Sequence, residues 1–217
     1  MKWNDHSILK NTHAVFSPST SGWENYSPER LQERYLTSYA ADIGTAVHEE
    51  AMWHITKKIL VKASSKGEFK LSLYKRPNLP DDVLDATDLI PMFNAYMNYV
   101  NDAIGFRMDP EVILYSSDLC FGTADAISFN NNFLRIHDLK TGVTTTHIEQ
   151  LLKYAALFCI EYKVDPRNID SELRIYQANN DVLVVNPTGD DIMPFINQIT
   201  EINKLNKEII ERRLQYE

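Results

Sequence analysis

A chain of 217 residues, 44% hydrophobic and 24% charged, is long enough to bury a core and is composed like an ordinary globular domain, which excludes fibrous and low-complexity classes. Its net charge of −8 argues against tight, extended wrapping of DNA, because nucleic-acid binders are usually basic overall, although a cleft can be locally basic or made positive by metal ions. The N-terminal MKWNDHSILK lacks an apolar core of signal-peptide length and no run of about 18 apolar residues occurs, so the expectation is a cytoplasmic protein outside the membrane. Cys120 and Cys159, flanked by apolar or aromatic residues, read as buried thiols of a reducing compartment.

In chain order, residues 1–27 read as loop, with Ser17-Pro18 and Ser21-Gly22 as breakers. Ser27 is a predicted N-cap with Pro28 at the first helical position, opening a long helical stretch interrupted near Ile43-Gly44. A second helix is predicted over Thr45–Ala63, where Val47, Ala51, Ile55 and Ile59 recur on one face. His48 lies beside that stripe, and spacing alone reads it as a partly buried helix histidine. From Ser64 to Pro80, Lys66, Lys70, Lys75 and Arg76 alternate with Phe69 and Tyr74, the pattern of either a DNA-facing arch or a solvated connection. Pro91 opens a predicted amphipathic helix through Ile104, with Met92, Tyr96, Tyr99 and Val100 inward and Gly105 closing it. Glu111–Tyr115, rich in branched and aromatic residues, reads as a strand.

The stretch Phe121–Tyr154 carries the densest information. Asparagine tolerates the left-handed conformation that a two-residue hairpin loop demands, so Asn131-Asn132 predicts a turn between two strands. That register pairs Phe129 with Leu134, Ile127 with Ile136 and Asp125 with Asp138, and strand alternation puts Lys140 on the face of Asp138. Two opposed aspartates are a defect unless a cation lies between them, and a divalent metal is the obvious one. Beyond the Thr141-Gly142 turn, Thr146 and Glu149 form a capping-box pattern, and Gln150 and Tyr154 share a face of the helix it starts.

Asp125 after Gly122, then Asp138-Leu139-Lys140, then Gln150-x-x-x-Tyr154, resembles the motif set of the PD-(D/E)xK nuclease superfamily, in its RecB-like exonuclease branch. Gly44-Thr45-Ala46-Val47-His48-Glu49 matches the context of that branch's upstream histidine, and the similarity runs with gaps from about Ser17 to about Gln177, nearest to small phage-type members. Ala124 stands where the motif name has proline. Members with an iron–sulfur cluster need four cysteines, and this chain has two, so no cluster is expected. The resemblance implies a metal-dependent DNA exonuclease using Mg²⁺ or Mn²⁺. Asp125, Asp138, the Leu139 backbone carbonyl and His48 would hold the metal, Lys140 would orient or deprotonate the attacking water, and Gln150 and Tyr154 would hold Lys140 or a DNA phosphate. Glu111 is either a further carboxylate of this site, as in some members, or a strand-edge charge.

After that helix, Leu173–Gln177 and Val182–Val185 read as strands around an Asn179-Asn180 turn, and Asp190–Glu217 as a long helix with Ile192, Ile196, Ile199, Ile202, Leu205 and Ile209 in a stripe. That helix either covers the core or serves self-association. The expected architecture is α/β: a central mixed sheet flanked by helices, in a single domain with a mainly helical part over 1–110, a catalytic sheet core over 111–189 and a covering helix over 190–217. Linear DNA is the expected partner, with a recombination or single-strand-annealing protein and a homo-oligomer as further candidates. Two other functional readings stand beside the exonuclease: an inactive nucleic-acid or protein-binding module on the same fold, and a metal-dependent endonuclease, for which no separate base-reading region is found.

Overall fold

The computed structural model describes residues 14–16, 18, 22–142, 148–179 and 181–214. Its architecture is α/β, as expected: five helices, α1 (Pro28–Ser38), α2 (Ala40–Lys57), α3 (Lys66–Tyr74), α4 (Asp81–Ala86) and α5 (Leu89–Gly105), precede the sheet. Strands β1 (Asp109–Ser117), β2 (Cys120–Asn130) and β3 (Phe133–Lys140) lead into α6 (Glu149–Tyr162), and β4 (Asp170–Gln177) and β5 (Val182–Val185) into α7 (Gly189–Leu214). The sheet order is β1-β2-β3-β4-β5, antiparallel except where α6 crosses over between the parallel pair β3 and β4. Among the described residues, no helix is long and apolar enough to cross a membrane.

Alternating residues of the sheet feed two apolar clusters. Leu134, Ile136, Leu173 and Ile175 pack against α6 and α7, while Ala126, Leu139 and Tyr176 join α2, α3, α4 and α5 on the other face. The helical part ahead of the sheet is therefore one layer of a sandwich, built on the same strands that α6 and α7 cover.

Ser27 caps α1 as its sequence predicts, accepting from the Arg30 N–H at 3.3 Å with Pro28 in the first turn. The break that follows lies at Tyr39, not at Ile43-Gly44. There Ser38 Oγ bonds back to the Tyr35 carbonyl at 2.7 Å, answering one of the last four acceptors of the helix, and Thr37 Oγ1 bonds back to the Glu33 carbonyl at 2.9 Å. Gly44 sits inside α2, where a Cβ would come 3.1 Å from Thr141 Oγ1, so its small size brings α2 against the end of β3. Nor does α2 reach Ala63: Lys58 turns left-handed at φ 56° and the Ile59 N–H closes onto the His54 carbonyl at 3.0 Å. Ile59 is exposed as a result. Asn101 then clasps both backbone groups of Val61 at 2.9 Å, tying the loop to α5.

The basic stretch after Ser64 is a helix and not an arch. Phe69 and Leu73 are buried in α3, Arg76 pairs with Glu49, and Lys70 lies 3.7 Å from Asp85. Two of its four cations, Lys70 and Arg76, thus face carboxylates. In the β4–β5 hairpin the Tyr176↔Val182 register and the Gln177 N–H to Asp181 carbonyl bond leave three residues between that bonded pair, not two; Asn180 is outside the described residues. In α7, Ile192 and Ile199 are buried and Leu205 is exposed, so the stripe covers the core at its start and has left it by Leu205. The side chain of Ile209 is outside the described residues.

A polar network joins α5 to the sheet. Tyr176 OH donates to Asp102 Oδ2 at 2.7 Å and lies 3.3 Å from His137 Nδ1, Arg174 donates to the same Asp102 oxygen and to Glu172, and Phe106 covers both Arg135 and Arg174. Burial first, then the Arg174 and Arg135 charges, push the His137 pKa down to about 3, so this imidazole is neutral. Tyr176→Phe should cost about 1–3 kcal/mol in urea denaturation, because it removes the bond to Asp102 and leaves His137 Nδ1 without a partner. A change within experimental error would show the network to be dispensable.

Candidate metal centre

The centre begins with the turn predicted at Asn131-Asn132, whose φ angles of 51° and 58° are the left-handed pair a tight hairpin needs. Pairings Phe129↔Leu134 and Ile127↔Ile136 follow as expected, but the β2–β3 ladder stops at Ala126↔His137, one step short of Asp125 and Asp138. On the other side of β2, the pairs Pro110↔Ala126 and Val112↔Ala124 skip Glu111 and Asp125, and Glu111 has φ 52°. Three carboxylates thus stand at successive register positions across β1, β2 and β3, where both ladders lose a pair. Strand alternation slips there too. Ala124 and Ile127, an odd number of residues apart, pack into the same α6 cluster, while Ala126 faces the α5 side.

The slip divides the expected residues into two adjoining groups. From α2, His48 Nδ1 approaches Asp125 Oδ2 at 3.6 Å and Glu111 Oε1 at 3.9 Å. One donor atom from each of these three residues lies within 4.8 Å of the others. That spread suits a shared ion about 2.0–2.5 Å from each ligand, and two carboxylates with one imidazole are a donor set that can hold a divalent metal ion. Asp138 belongs to the second group. It is 3% exposed, and the Lys140 ammonium is 3.0 Å from both its oxygens, hydrogen-bonded to Oδ1. Lys140 Nζ also donates to Gln150 Oε1 at 3.0 Å, and Gln150 Nε2 reaches Tyr154 OH at a long 3.5 Å. The Tyr154 ring lies against Gly122, where a Cβ would come 2.9 Å from Cε1. Only glycine lets the ring lie there undisturbed.

Asp125 joins the groups, since its Oδ2 accepts from the Leu139 N–H at 2.9 Å. It is this N–H, rather than the carbonyl the resemblance names, that the structure ties to the carboxylates. The helix carrying Gln150 and Tyr154 begins at Glu149, with Ile148 as N-cap and no side-chain cap; Thr146 lies outside the described residues. Glu149 is therefore the first helical residue and not the third of a capping box.

Electrostatically the centre is short of positive charge. Burial, then the Asp138 charge, raise the Asp125 carboxyl to about 7 against the pull of the Leu139 N–H and Lys140. Burial also raises Asp138, opposed by Lys140 and then His48, and raises Glu111, helped by Asp125 and opposed by His48. Asp138 Oδ2 is buried without a hydrogen bond of its own, and the cation that faces it is the Lys140 ammonium 3.0 Å away. A cleft of about 570 Å³ between α2 and the sheet, walled by Gly44, His48, Met52, Glu111 and Thr141, gives access to the first group.

Sequence reasoning left Glu111 undecided, because only the register of β1 against β2 and the approach of α2 put it beside Asp125 and His48. It missed the Asp125 bond to Leu139 and the role of Gly122, for which a one-dimensional pattern carries no signal. A family model described as protein of unknown function, DUF2800, matches residues 13–181. No curated protein matches the chain.

Proposed function

We propose that this chain, which belongs to the DUF2800 family, is a divalent-metal-dependent deoxyribonuclease that hydrolyses phosphodiester bonds from DNA ends. The observation that carries the reading is a hydrogen-bonded Asp138–Lys140–Gln150 array, anchored on the buried Asp138, beside a convergent His48, Glu111 and Asp125. Such a pairing of anions poised for a cation with a held ammonium is what phosphodiester hydrolysis requires. The likeness of the motifs to the RecB-like branch supports ends over internal sites, and with them a place in DNA recombination, repair or degradation.

His48, Glu111 and Asp125 would hold Mg²⁺ or Mn²⁺, with Asp138 one register position further across the sheet and held by Lys140. Bound there, the metal supplies an activated water and charge neutralisation at the phosphate. Lys140 has three N–H donors, and Asp138 and Gln150 take two of them. The third is left for the attacking water or a phosphate oxygen. Gln150 aims that ammonium, and Tyr154 buttresses Gln150. Asp138 keeps the lysine charged and in place.

The test is digestion of end-labelled linear DNA, single- and double-stranded, beside a closed circle, with Mg²⁺ or Mn²⁺ and with chelator. Metal-dependent loss of linear DNA alone is expected. Nicking of the circle would replace the exonuclease with an endonuclease, and no cleavage by folded protein under any condition would replace it with a binding module.

A further inference from the structure

We infer that the open sheet face beside the metal centre is a stacking platform for unpaired DNA bases, so that the substrate is a single strand or a single-stranded overhang. The inference rests on the nuclease reading and names the substrate class of that same site. Position comes first. From Val112↔Ala124 to Tyr115↔Phe121 the β1–β2 register is unbroken, so side chains alternate strictly between the two faces. Leu114 and Cys120 join the cluster under α6 and α7, and Gly122 lies against the Tyr154 ring of α6. Ile113, Tyr115, Phe121 and Thr123 therefore occupy the opposite face, on which His48 of α2 meets Glu111 and Asp125. Ile113 and Thr123 form the row next to those ligands, and Tyr115 and Phe121 the row after it. Each ring is four residues along its strand from a ligand, about 13 Å, which a short run of single strand spans.

Chemistry comes second. Ile113 and Phe121 are each 62% exposed and Tyr115 is 45% exposed, an uncovered apolar strip on a face that helices cover further along, at Ala126 and Leu139. The Phe121 and Tyr115 rings are stacked, with centroids 6.4 Å apart and planes 27° apart, and the Tyr115 hydroxyl donates to Asp118 Oδ1 at 2.8 Å. Exposed rings ordered in advance take any base by its π-face, without reading sequence. A duplex keeps its base faces stacked inside, so only unpaired bases can use them. Electrostatics sets the orientation of the strand. Asp118 and Glu161, which accept from the Tyr115 hydroxyl and N–H, repel phosphates, so the bases meet the strip and the backbone stays in solvent. Binding by stacking also accords with a net charge of −8, which gives the chain little overall electrostatic grip on DNA. In a two-fold contact between copies of this chain, the same carboxylates would be set against each other around the strip.

The experiment is fluorescence-anisotropy titration of labelled oligothymidylate, an abasic strand of the same length and a blunt duplex, with chelator present so that no strand is cut. Wild type, Phe121→Ala and Phe121→Trp are compared, and because Phe121 is exposed its truncation spares the core. Wild type should bind oligothymidylate about tenfold or more tightly than the abasic strand, the size of one base–aromatic stack. Phe121→Ala should lose most of that difference and Phe121→Trp should keep it. The ratio should hold as salt is raised, because stacking releases no counterions. Equal binding of the two strands, a duplex bound as tightly as the single strand, no binding of any DNA, or an unchanged ratio in Phe121→Ala would overturn the platform. A wild type that sediments as an oligomer and becomes a monomer in Phe121→Ala would make the strip a subunit interface instead. Metal-dependent digestion with equal binding removes the platform and leaves the nuclease. Base-dependent binding without digestion under any condition removes the nuclease and leaves the platform.

Discussion

Lys140→Ala should lower single-turnover DNA cleavage by about 10³-fold or more, since it removes the ammonium that would face water and phosphate. The substitution also reaches the fold. Lys140 is the only hydrogen-bond partner described for the Asp138 carboxylate, which is 3% exposed, so its removal orphans a buried anion. Breaking such a pair costs on the order of 3 kcal/mol, reduced here because the lysine is 30% exposed and Asp138 can protonate. With Lys140 gone the folded-state pKa of Asp138 rises further, so the variant's stability is fullest at acid pH and falls as pH rises. The double variant Lys140→Ala with Asp138→Asn should recover stability at pH 8 and remain inactive. Urea denaturation beside cleavage assays separates the two effects. Cleavage surviving in Lys140→Ala would remove the lysine from the mechanism.

The second large effect concerns Asp125. Its carboxyl is raised from an ordinary 3.8 to about 7 in the folded, metal-free chain, so the folded state binds the proton more tightly than the unfolded state. The stabilisation is fully present below about pH 4 and is lost as pH climbs through about 7. Asp125→Asn keeps an oxygen for the Leu139 N–H and removes the ionisation. The metal-free variant should therefore be more stable than wild type at pH 8, by about 2–4 kcal/mol, with no such gain near pH 4. Cation binding should reverse the order. Mn²⁺ should raise the melting temperature of wild type and leave Asp125→Asn nearly unmoved, because the variant has lost the anion that His48 and Glu111 would share with the ion. A wild type whose metal-free stability is flat from pH 5 to 8, and which ignores Mn²⁺, would contradict the centre as described.

Much of the centre is local in origin, and local features are legible. Asn131-Asn132 sets the hairpin because its backbone must turn left-handed, and that turn alone aligns Ile127 with Ile136. Lys140 meets Asp138 because residues two apart on a strand share a face, and Gln150 meets Tyr154 because residues four apart on a helix do. Charge placement around α3 was less legible. Alternating lysines and aromatics look the same in sequence whether the rings face a ligand or, as with Phe69, the core.

What the sequence determined by itself was the set of short-range geometries: the Ser27 cap, the hairpin register, the α/β order of elements and the face shared by Asp138 and Lys140. Their causes lie within a few residues, in backbone conformation and side-chain periodicity. The tertiary structure decided the rest. Whether Glu111 stands beside Asp125 depends on how β1 pairs, and whether His48 reaches them depends on α2 docking at Gly44 against Thr141. The slip around Asp125, which separates the His48 group from the Lys140 group, arises where two ladders break side by side. No single strand encodes that break, because it lies in the pairing of β1, β2 and β3, which exists only when the sheet has formed.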